Sequence, residues 1–362
     1  MKRSRKLLSL LLAATMTVSM AATASAAFSD FTDVKGHWAE KTLNQAYSDG
    51  ILKCSGSTTM SPNSSVTTAQ AVTMLCRVLH VTGQGDTSSL QIPQGAWYTQ
   101  DAAKAVYAGL LDNSDAGQLD QSISRKDAFI LFDKAFQIAE AQPDLTVLDQ
   151  FPDAASLTGQ SQRAAAALVE AGIVSGSDGK LQIDRPLTRA EFATILYRLA
   201  DQYISAAAFT GHTGAGSVLS GDADLSGVQM GAIWFDQSVS NIRLTDVTAK
   251  QVTVRSDQLI SLAISGTGEI SRLVLAARSG DIMLDLPDSC PVSTVSVGDG
   301  SGTISFSGTT SAMEITGQHR TVNVNCSLDT LVISGSDCSV TVKKGCSIRN
   351  LTVLGTGNTV TL

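Results

Sequence analysis

Two arginines, Arg125 and Arg189, stand directly after the hydroxyl residues Ser124 and Thr188, each of which is predicted to begin a helix. A cation in the first turn of a helix faces the positive end of the helix dipole, which disfavours it by a few tenths of a kcal/mol to about 1 kcal/mol. A guanidinium and the free N–H groups of a helix start can nevertheless converge on a carboxylate or a phosphate. We therefore predict that both arginines help to hold an anion, with a salt bridge to a neighbouring repeat as the alternative.

The arginines belong to a helix-start motif that occurs three times, at residues 66–70, 123–127 and 187–191. In each copy a Ser or Thr is followed three positions later by Gln, Asp or Glu, which is the pattern of a capping box, with the Asp only approximating it. Upstream of each copy lies a glycine followed by an aliphatic residue, as is typical of a helix end. These glycines are Gly50, Gly109 and Gly172. The period of about sixty residues predicts three helix pairs that pack into one all-α domain.

A resemblance to a known family rests on these motifs and on one more. Residues 31–39 read Phe-Thr-Asp-Val-x-x-His-Trp-Ala, residues 50–52 read Gly-Ile-Leu, and residues 187–193 read Leu-Thr-Arg-Ala-Glu-Phe-Ala. Together they resemble the surface-layer homology (SLH) module, three copies of which dock exported proteins on bacterial cell walls. The resemblance covers residues 28–203, about half of the chain. It implies a pseudo-threefold helical bundle whose intermodular grooves bind a secondary cell-wall polysaccharide, often through a pyruvate-ketal carboxylate.

In that family the ligand is held by the arginine of the motif and by the glycine that ends the first helix, and tryptophans are candidate groove walls or core. Carried onto this chain, the resemblance implies a site made of Arg125, Arg189, Gly50, Gly109, Gly172, Trp38 and Trp97. The repeats also depart from the family pattern. Thr68 replaces the motif arginine in the first repeat, Ala96 replaces the histidine in the second, and the third lacks the tryptophan. We therefore expect fewer than three competent grooves.

The N-terminus has the features of a secretory signal: a basic stretch, a short apolar run and a small-residue cleavage site within residues 1–26. Removing this signal takes away four cations and changes the formal net charge from −7 to −11. Such acidity argues against nucleic acid and against an acidic membrane surface as partners. No later apolar stretch approaches the length of a membrane span, so the sequence predicts no membrane insertion. We expect a secreted protein of the cell wall or cell surface.

From about residue 206 the composition shifts to Gly, Ser, Thr and Val, and short alternating segments recur every eighteen to twenty residues. Residues 327–335 align with 347–355, and residues 273–275 and 262–264 are interpreted as earlier copies. Strands of this kind, separated by Gly turns, predict the coils of a parallel β-solenoid, with an antiparallel β-sandwich as the alternative. The alternation predicts that the inward side chains are Leu331, Ile333, Val340, Val342, Leu351, Val353, Val360 and Leu362.

Three cysteines, Cys290, Cys326 and Cys346, each stand just before a repeat and are predicted to share one register position. Coils about 4.8 Å apart allow a disulfide between Cys326 and Cys346, and a buried ladder of reduced thiols is the alternative. We expect the final coil, residues 347–362, to lack a polar capping segment. An open edge predicts pairing with another copy or with a partner protein, and fraying of that coil in a monomer is the alternative.

Residues suited to catalysis are scattered over the predicted solenoid, and the sequence contains no Gly-x-Ser-x-Gly or His-Glu-x-x-His motif. Residues 222–227 match the first half of a calcium loop, but Ile233 stands where the loop requires Glu. No group of cysteines and histidines has zinc spacing. The sequence therefore predicts a non-enzymatic protein with no metal and no cofactor. The alternative is a wall-anchored carbohydrate-active enzyme whose carboxylates converge only in the folded chain.

The predicted organisation is α + β and multidomain. It comprises a signal peptide at 1–26, SLH modules at 28–82, 90–140 and 148–203, a linker and solenoid N-terminal cap at 204–240, and a β-solenoid at 241–362. The predicted function is noncovalent anchoring of an exported protein to secondary cell-wall polysaccharide, with the solenoid displayed for structural, adhesive or assembly roles.

Overall fold

The computed structural model describes residues 28–362 except residues 57, 213 and 278, so the predicted signal peptide lies outside the described residues. A helical half is followed by a half made of parallel strands, as the sequence predicts. Each half has its own cluster of buried apolar side chains, and the helical cluster also includes Val218 and Trp234 from the first strands. Among the helices described, none combines the length and the apolar character that crossing a membrane requires.

The helical half contains six α-helices in three consecutive pairs, within the residues described. They are α1 (Glu40–Ser48), α2 (Thr68–Val78), α3 (Thr99–Tyr107), α4 (Arg125–Phe136), α5 (Gly159–Glu170) and α6 (Arg189–Leu199). Short 3-10 helices lie at Phe28–Asp30, Ser88–Leu90, Asn113–Asp115, Leu145–Leu148, Pro152–Ser156 and Ala206–Ala208. The predicted hydroxyl residues cap α2, α4 and α6, and Thr67 and Thr188 form reciprocal capping boxes.

A closed ring of backbone hydrogen bonds joins the three helix pairs at their centre. The Val66 amide donates to the Leu187 carbonyl at 2.9 Å, the Leu187 amide to Ile123 at 3.1 Å, and the Ile123 amide to Val66 at 3.0 Å. Each of these residues immediately precedes a helix N-cap, so the three helix-start motifs meet around one axis. This is the pseudo-threefold arrangement that the resemblance implied.

The second half is a parallel β-solenoid. Its strands are β1 (Gln202–Ser205), β2 (Gly216–Ser220), β3 (Ala223–Ser226), β4 (Gln229–Phe235), β5 (Asn241–Thr245), β6 (Thr248–Val254), β7 (Ser261–Ser265), β8 (Ile270–Leu275), β9 (Ile282–Leu286), β10 (Val292–Val297), β11 (Thr303–Gly308), β12 (Thr310–Ile315), β13 (Thr321–Val324), β14 (Leu328–Ile333), β15 (Ser339–Val342), β16 (Ile348–Val353) and β17 (Thr359–Thr361). They form a nine-stranded sheet (β1 and the even-numbered strands), a five-stranded sheet (β9 to β17, odd-numbered) and a three-stranded sheet (β3, β5 and β7). Every coil from β2 to β17 therefore gives one strand to the large sheet and one to a smaller sheet opposite. The parallel pairing excludes the antiparallel sandwich.

The strand register confirms the predicted repeat. Leu331 pairs with Leu351 at an offset of twenty residues, and Met313 pairs with Leu331 at an offset of eighteen. Residues 273–275 are an earlier copy of 331–333, as predicted, but the same interpretation of residues 262–264 is wrong, because β7 lies in the three-stranded sheet while β8 and β14 lie in the nine-stranded one. The copy that pairs with β8 is β6, with Val252 opposite Leu273.

The predicted inward residues are buried in the coil before the last, where Leu331, Ile333, Val340 and Val342 are at most 5% exposed. In the last coil, Leu351 and Val353 are about half exposed and Leu362 is largely exposed. The register places Leu351, Val353 and Val360 opposite Leu331, Ile333 and Val340. Burial of the predicted inward residues is confirmed for the earlier coil but not for Leu351, Val353 and Leu362, because only the earlier coil is covered on both sides by the residues that the structure describes.

The two halves are docked through the C-terminal end of α4. The last carbonyls of a helix have no partner within the helix, and here the large sheet supplies their donors. Trp234 Nε1 donates to the Phe136 carbonyl at 2.8 Å, and Arg255 Nη1 donates to the Ala135 carbonyl at 2.9 Å. Arg272 continues the row on the next coil, since its Nη1 donates to the carbonyl of Gln137 at 2.8 Å.

Candidate functional site

Three grooves lie between neighbouring helix pairs, and each is named here by the motif residue on its wall. The Arg189 groove has a volume of about 510 Å³, the Arg125 groove about 210 Å³ and the Thr68 groove about 400 Å³. In each groove one wall is the loop that follows a helix-ending glycine, and another is the second helix of the same pair. The other two helix pairs complete the walls, one with its motif residue and the other with a residue near the start of its first helix. In the Arg189 groove these are Arg189 and Trp97.

Tryptophans form a wall in two of the grooves. Trp97 lines the Arg189 groove and Trp38 lines the Arg125 groove, with exposed fractions of 61% and 64%. Each lies twelve residues before its glycine, and the same count back from Gly172 reaches Gln160, which lines the Thr68 groove. The structure therefore places each predicted tryptophan in a groove with a predicted arginine. The third groove has neither, because it is lined by Thr68 from the repeat that lacks the arginine and by Gln160 from the repeat that lacks the tryptophan.

The motif arginines are held between helix pairs. Arg189 Nε donates to the Met60 carbonyl at 2.9 Å, and its Nη2 donates to the Lys53 carbonyl at 2.7 Å. Arg125 Nε donates to the Leu181 carbonyl at 2.7 Å. Both side chains are less than a tenth exposed. Burial lowers the pKa of each guanidinium, but an arginine remains cationic at neutral pH.

The first-turn amides of the helices are occupied by the protein itself, which differs from the anion site expected at each helix start. The amides of Arg125 and Lys126 donate to the carbonyls of Arg185 and Ile183 at 3.0 and 2.9 Å. The amide of Arg189 likewise donates to the Ser64 carbonyl at 2.9 Å. The alternative, a salt bridge to a neighbouring repeat, is not formed by either guanidinium within the described residues, since both donate to backbone carbonyls instead. An anion in either groove would therefore meet the charge of the arginine rather than a set of free amides.

The three predicted glycines end the first helices. Gly50, Gly109 and Gly172 have φ values of +70°, +71° and +69°, which is the left-handed region where side chains are disfavoured. The groove walls begin after them, with Leu52 in the Arg189 groove and Ile173 in the Arg125 groove. In the structure, the three glycines thus turn the chain out of the helix and into the loop that forms the groove wall.

A second set of cations was missed by the sequence analysis. Arg77, Lys134 and Arg198 donate to the carbonyls that follow the three glycines, at 2.8, 3.4 and 2.9 Å respectively. These three side chains lie near the C-terminal ends of the first helices, where a positive charge is stabilising. Each lies ten residues after the N-cap hydroxyl of its own helix, so the spacing in the sequence could have revealed them.

The charges of the three grooves differ. The Arg189 groove is lined by three cationic residues, Lys53, Arg77 and Arg189, and one carboxylate, Asp101. The Arg125 groove has two cations, Arg125 and Arg198, and the carboxylate of Glu191. The Thr68 groove is lined instead by Lys134 and three carboxylates, which are Asp112, Asp115 and Asp127. Two grooves are therefore suited to an anionic ligand, and the third is not.

Comparison with known proteins bears on the helical half. Residues 30–72 and 150–193 match the family model of the S-layer homology domain. The matched segments contain α1 and α5 and the starts of α2 and α6. Two segments of the helical half thus match this family. The second helix pair lies outside both matched segments.

The relatives include S-layer proteins. The chain is 28% identical over 204 residues to the S-layer protein sap of Bacillus anthracis, covering 54% of this chain and 25% of that protein. It is 24% identical over 198 residues to the Surface-layer 125 kDa protein of Lysinibacillus sphaericus, covering 51% and 16%. An amylopullulanase of Thermoanaerobacterium thermosulfurigenes is 26% identical over 178 residues, covering 48% and 10%. The chain thus spans a quarter or less of these relatives. The matches indicate a secreted protein of the cell surface.

Most acidic residues of the solenoid are engaged in its own turns. The carboxylates of four aspartates accept hydrogen bonds of 2.7 to 2.9 Å from backbone amides of the next coil; they are Asp222, Asp246, Asp281 and Asp299. Asp224 and Asp329 pair with Arg243 and Arg349 one coil on. Across the described residues, no group of three or more His, Cys, Asp or Glu is arranged to hold a metal ion.

Proposed function

We propose that this chain anchors itself noncovalently to a secondary cell-wall polysaccharide through its helical half and carries the solenoid at the cell surface. The observation that carries the proposal is the coincidence, in two of three grooves, of an exposed tryptophan with a buried motif arginine. A tryptophan face offers an apolar surface to a sugar ring, and a buried cation attracts an acidic substituent.

The ligand that fits these grooves is a polysaccharide with an acidic group, such as a pyruvate-ketal carboxylate. Arg125 and Arg189 lie almost buried at the groove walls, where a charge is less screened than on an open surface. Arg77 and Arg198 add a second cation to each groove. We propose that the Arg189 groove binds most strongly, the Arg125 groove second, and the Thr68 groove not at all, because its carboxylates repel an anion.

The proposal treats the three helix pairs as three SLH modules, at residues 28–82, 90–140 and 148–203. The ring through Val66, Ile123 and Leu187 supports this assignment for the second pair as well, because that pair supplies the same bonds as the other two. Gly50, Gly109 and Gly172 contribute by shaping the loop walls.

The solenoid's role under this proposal is structural, adhesive or in assembly, without enzymatic activity of its own. Its acidic residues support this, since many of them bond the backbone of the next coil. Pairing of its C-terminal edge with another chain stays a prediction.

The test is cosedimentation of the full chain from residue 27 with purified cell-wall sacculi, before and after extraction of the secondary polysaccharide. We expect the chain to pellet with intact sacculi, to stay in solution with extracted ones, and to be released by added free polysaccharide. Equal pelleting with intact and extracted sacculi would place the ligand in peptidoglycan and contradict the proposal. Use of the whole chain matters because the two halves share buried contacts.

A further inference from the structure

Two cysteines lie side by side on adjacent coils of the solenoid. Leu328 pairs with Ile348 in the parallel ladder of β14 and β16, and Cys326 and Cys346 each stand two residues before these partners. The segments are fixed to each other next to the cysteines, because the Leu328 amide donates to the Ser347 carbonyl at 2.9 Å. In-register parallel strands lie about 4.8 Å apart, and disulfides join Cα atoms about 4.4 to 6.8 Å apart.

Both cysteine side chains also face the same interior. Cys326 and Cys346 are half-buried and pack against the apolar core of the solenoid as free thiols. Burial, and then the neighbouring Cys346, raise the pKa of the Cys326 thiol to about 11. A thiol with a raised pKa exchanges slowly, so any oxidation here requires long exposure.

The other cysteines lack such a partner. Cys290 occupies the equivalent position two coils earlier, and Gly308 stands at that position on the coil between them. A separation of two coils, roughly 9.6 Å, is outside disulfide range. Cys76 is buried in the helical core, and Cys54 is exposed on the wall of the Arg189 groove.

We propose that Cys326 and Cys346 are a modification site, at which oxidation after export forms a disulfide that joins the last two described coils. Each thiol loses one hydrogen and a single bond forms between the two sulfur atoms. The two electrons and two protons pass to a small-molecule or protein disulfide, which is reduced to two thiols. Exterior compartments supply such oxidants, whereas the cytosol keeps thiols reduced. The bond closes a loop of about twenty residues and holds β16 and β17 against the preceding coil.

The test uses the reduced full chain from residue 27, equilibrated for days with oxidised glutathione and then alkylated and digested without reductant. We expect a linked peptide pair containing Cys326 and Cys346, lighter by two hydrogens than the separate peptides, while Cys76, Cys290 and Cys338 remain alkylated. Hydrogen exchange of the amides in β16 and β17 should slow by about tenfold or more on oxidation.

Matched variants separate this bond from others. Cys54→Ser removes the exposed thiol that would join two chains and should leave the linked pair unchanged, as should Cys290→Ser. Cys346→Ser should abolish both the linked peptide and the slower exchange. If Cys326 and Cys346 both stay alkylated while Cys54 is oxidised in the wild-type chain, the proposal is overturned, and this readout does not depend on any variant folding.

Discussion

Arg189 Nε donates a hydrogen bond of 2.9 Å to the carbonyl oxygen of Met60, a residue that precedes it by 129 positions. The same guanidinium donates to the Lys53 carbonyl at 2.7 Å, so the motif arginine of the third helix pair holds the loop of the first. Arg125 does the same between the second pair and the third through Leu181. Each arginine thus has two roles: it gives its groove a positive charge, and it links neighbouring helix pairs by hydrogen bonds.

Loss of the hydrogen bonds that Arg189 donates should destabilise the helical half. We expect Arg189→Ala to lower the free energy of unfolding by about 2 to 4 kcal/mol, because the buried carbonyl of Met60 and the part-buried carbonyl of Lys53 lose a charged donor. Thr68→Ala, at the equivalent position without an arginine, should cost about 1 kcal/mol or less. Denaturant unfolding of both variants measures the difference, and equal losses would show that the bonds to Met60 and Lys53 add no stability.

The affinity for wall polysaccharide should follow the same ranking where both variants remain folded. A charged hydrogen bond or its equivalent is worth about 1.5 to 3 kcal/mol, so Arg189→Ala should weaken binding about tenfold or more while Thr68→Ala leaves it unchanged. Affinity is measured on protein whose circular dichroism matches the wild type. Unchanged affinity in both variants would remove Arg189 from the binding site.

Arg255 should fix the solenoid to the helical half. Its guanidinium donates to the carbonyls of Lys134, Ala135 and Ala108 and is 3% exposed. We expect Arg255→Ala to cost about 2 to 4 kcal/mol and to speed hydrogen exchange at the end of α4. The matched control is Arg243→Ala, which breaks an exposed pair with Asp224 and should change stability by about 0.5 kcal/mol or less. Similar effects of the two substitutions would mean that the docking contacts carry little energy.

The docking of the two halves should weaken as the pH rises through the folded-state pKa of His80. His80 Nδ1 lies 2.7 Å from Asp236 Oδ2, and Asp236 is fully buried. The hydrogen bond to Asp236 raises the pKa of His80 above 6.5, against a smaller opposite effect of burial. Because the folded-state pKa is the higher one, this stabilisation is complete below the unfolded pKa and is lost as the pH rises through the folded value.

The measurement is the unfolding midpoint as a function of pH in the wild type and in His80→Gln. We expect the wild type to lose its advantage over the variant as the pH is raised from about 6 to 8. Parallel pH profiles for the two proteins would exclude His80 as the group responsible.

Local signals in the sequence account for much of the fold. The N-caps Thr67, Ser124 and Thr188 and the helix-ending glycines were predictable, because a cap and a left-handed turn depend on neighbouring residues alone. The partners of Arg189 and Arg125 were not, since their acceptors are carbonyls brought near by closure of the ring. A backbone carbonyl carries no residue type that a sequence pattern can reveal.

In the solenoid, too, the sequence predicted the local repeat but not the contacts that depend on tertiary structure. Alternation and the offset of twenty residues predicted the pairing of Leu331 with Leu351. The assignment of residues 262–264 failed because two strands of one coil have the same alternation and only tertiary pairing separates them. The docking of Arg255 and Arg272 on α4 joins residues more than a hundred positions apart, and nothing in the spacing of these arginines indicates it.

The central claim is that two grooves, each with a tryptophan, hold the wall polysaccharide, and the tryptophans test it with the least disturbance of the fold. Trp38 and Trp97 are more than half exposed, so their replacement by alanine should change stability little. Gln160→Ala, at the equivalent position of the Thr68 groove, is the matched control. Calorimetric titration of the full chain with purified wall polysaccharide should show about tenfold weaker binding at the altered groove for each tryptophan variant. It should show about tenfold weaker binding at both grooves for Trp38→Ala/Trp97→Ala and no change for Gln160→Ala. Wild-type affinity in the double variant would contradict the account.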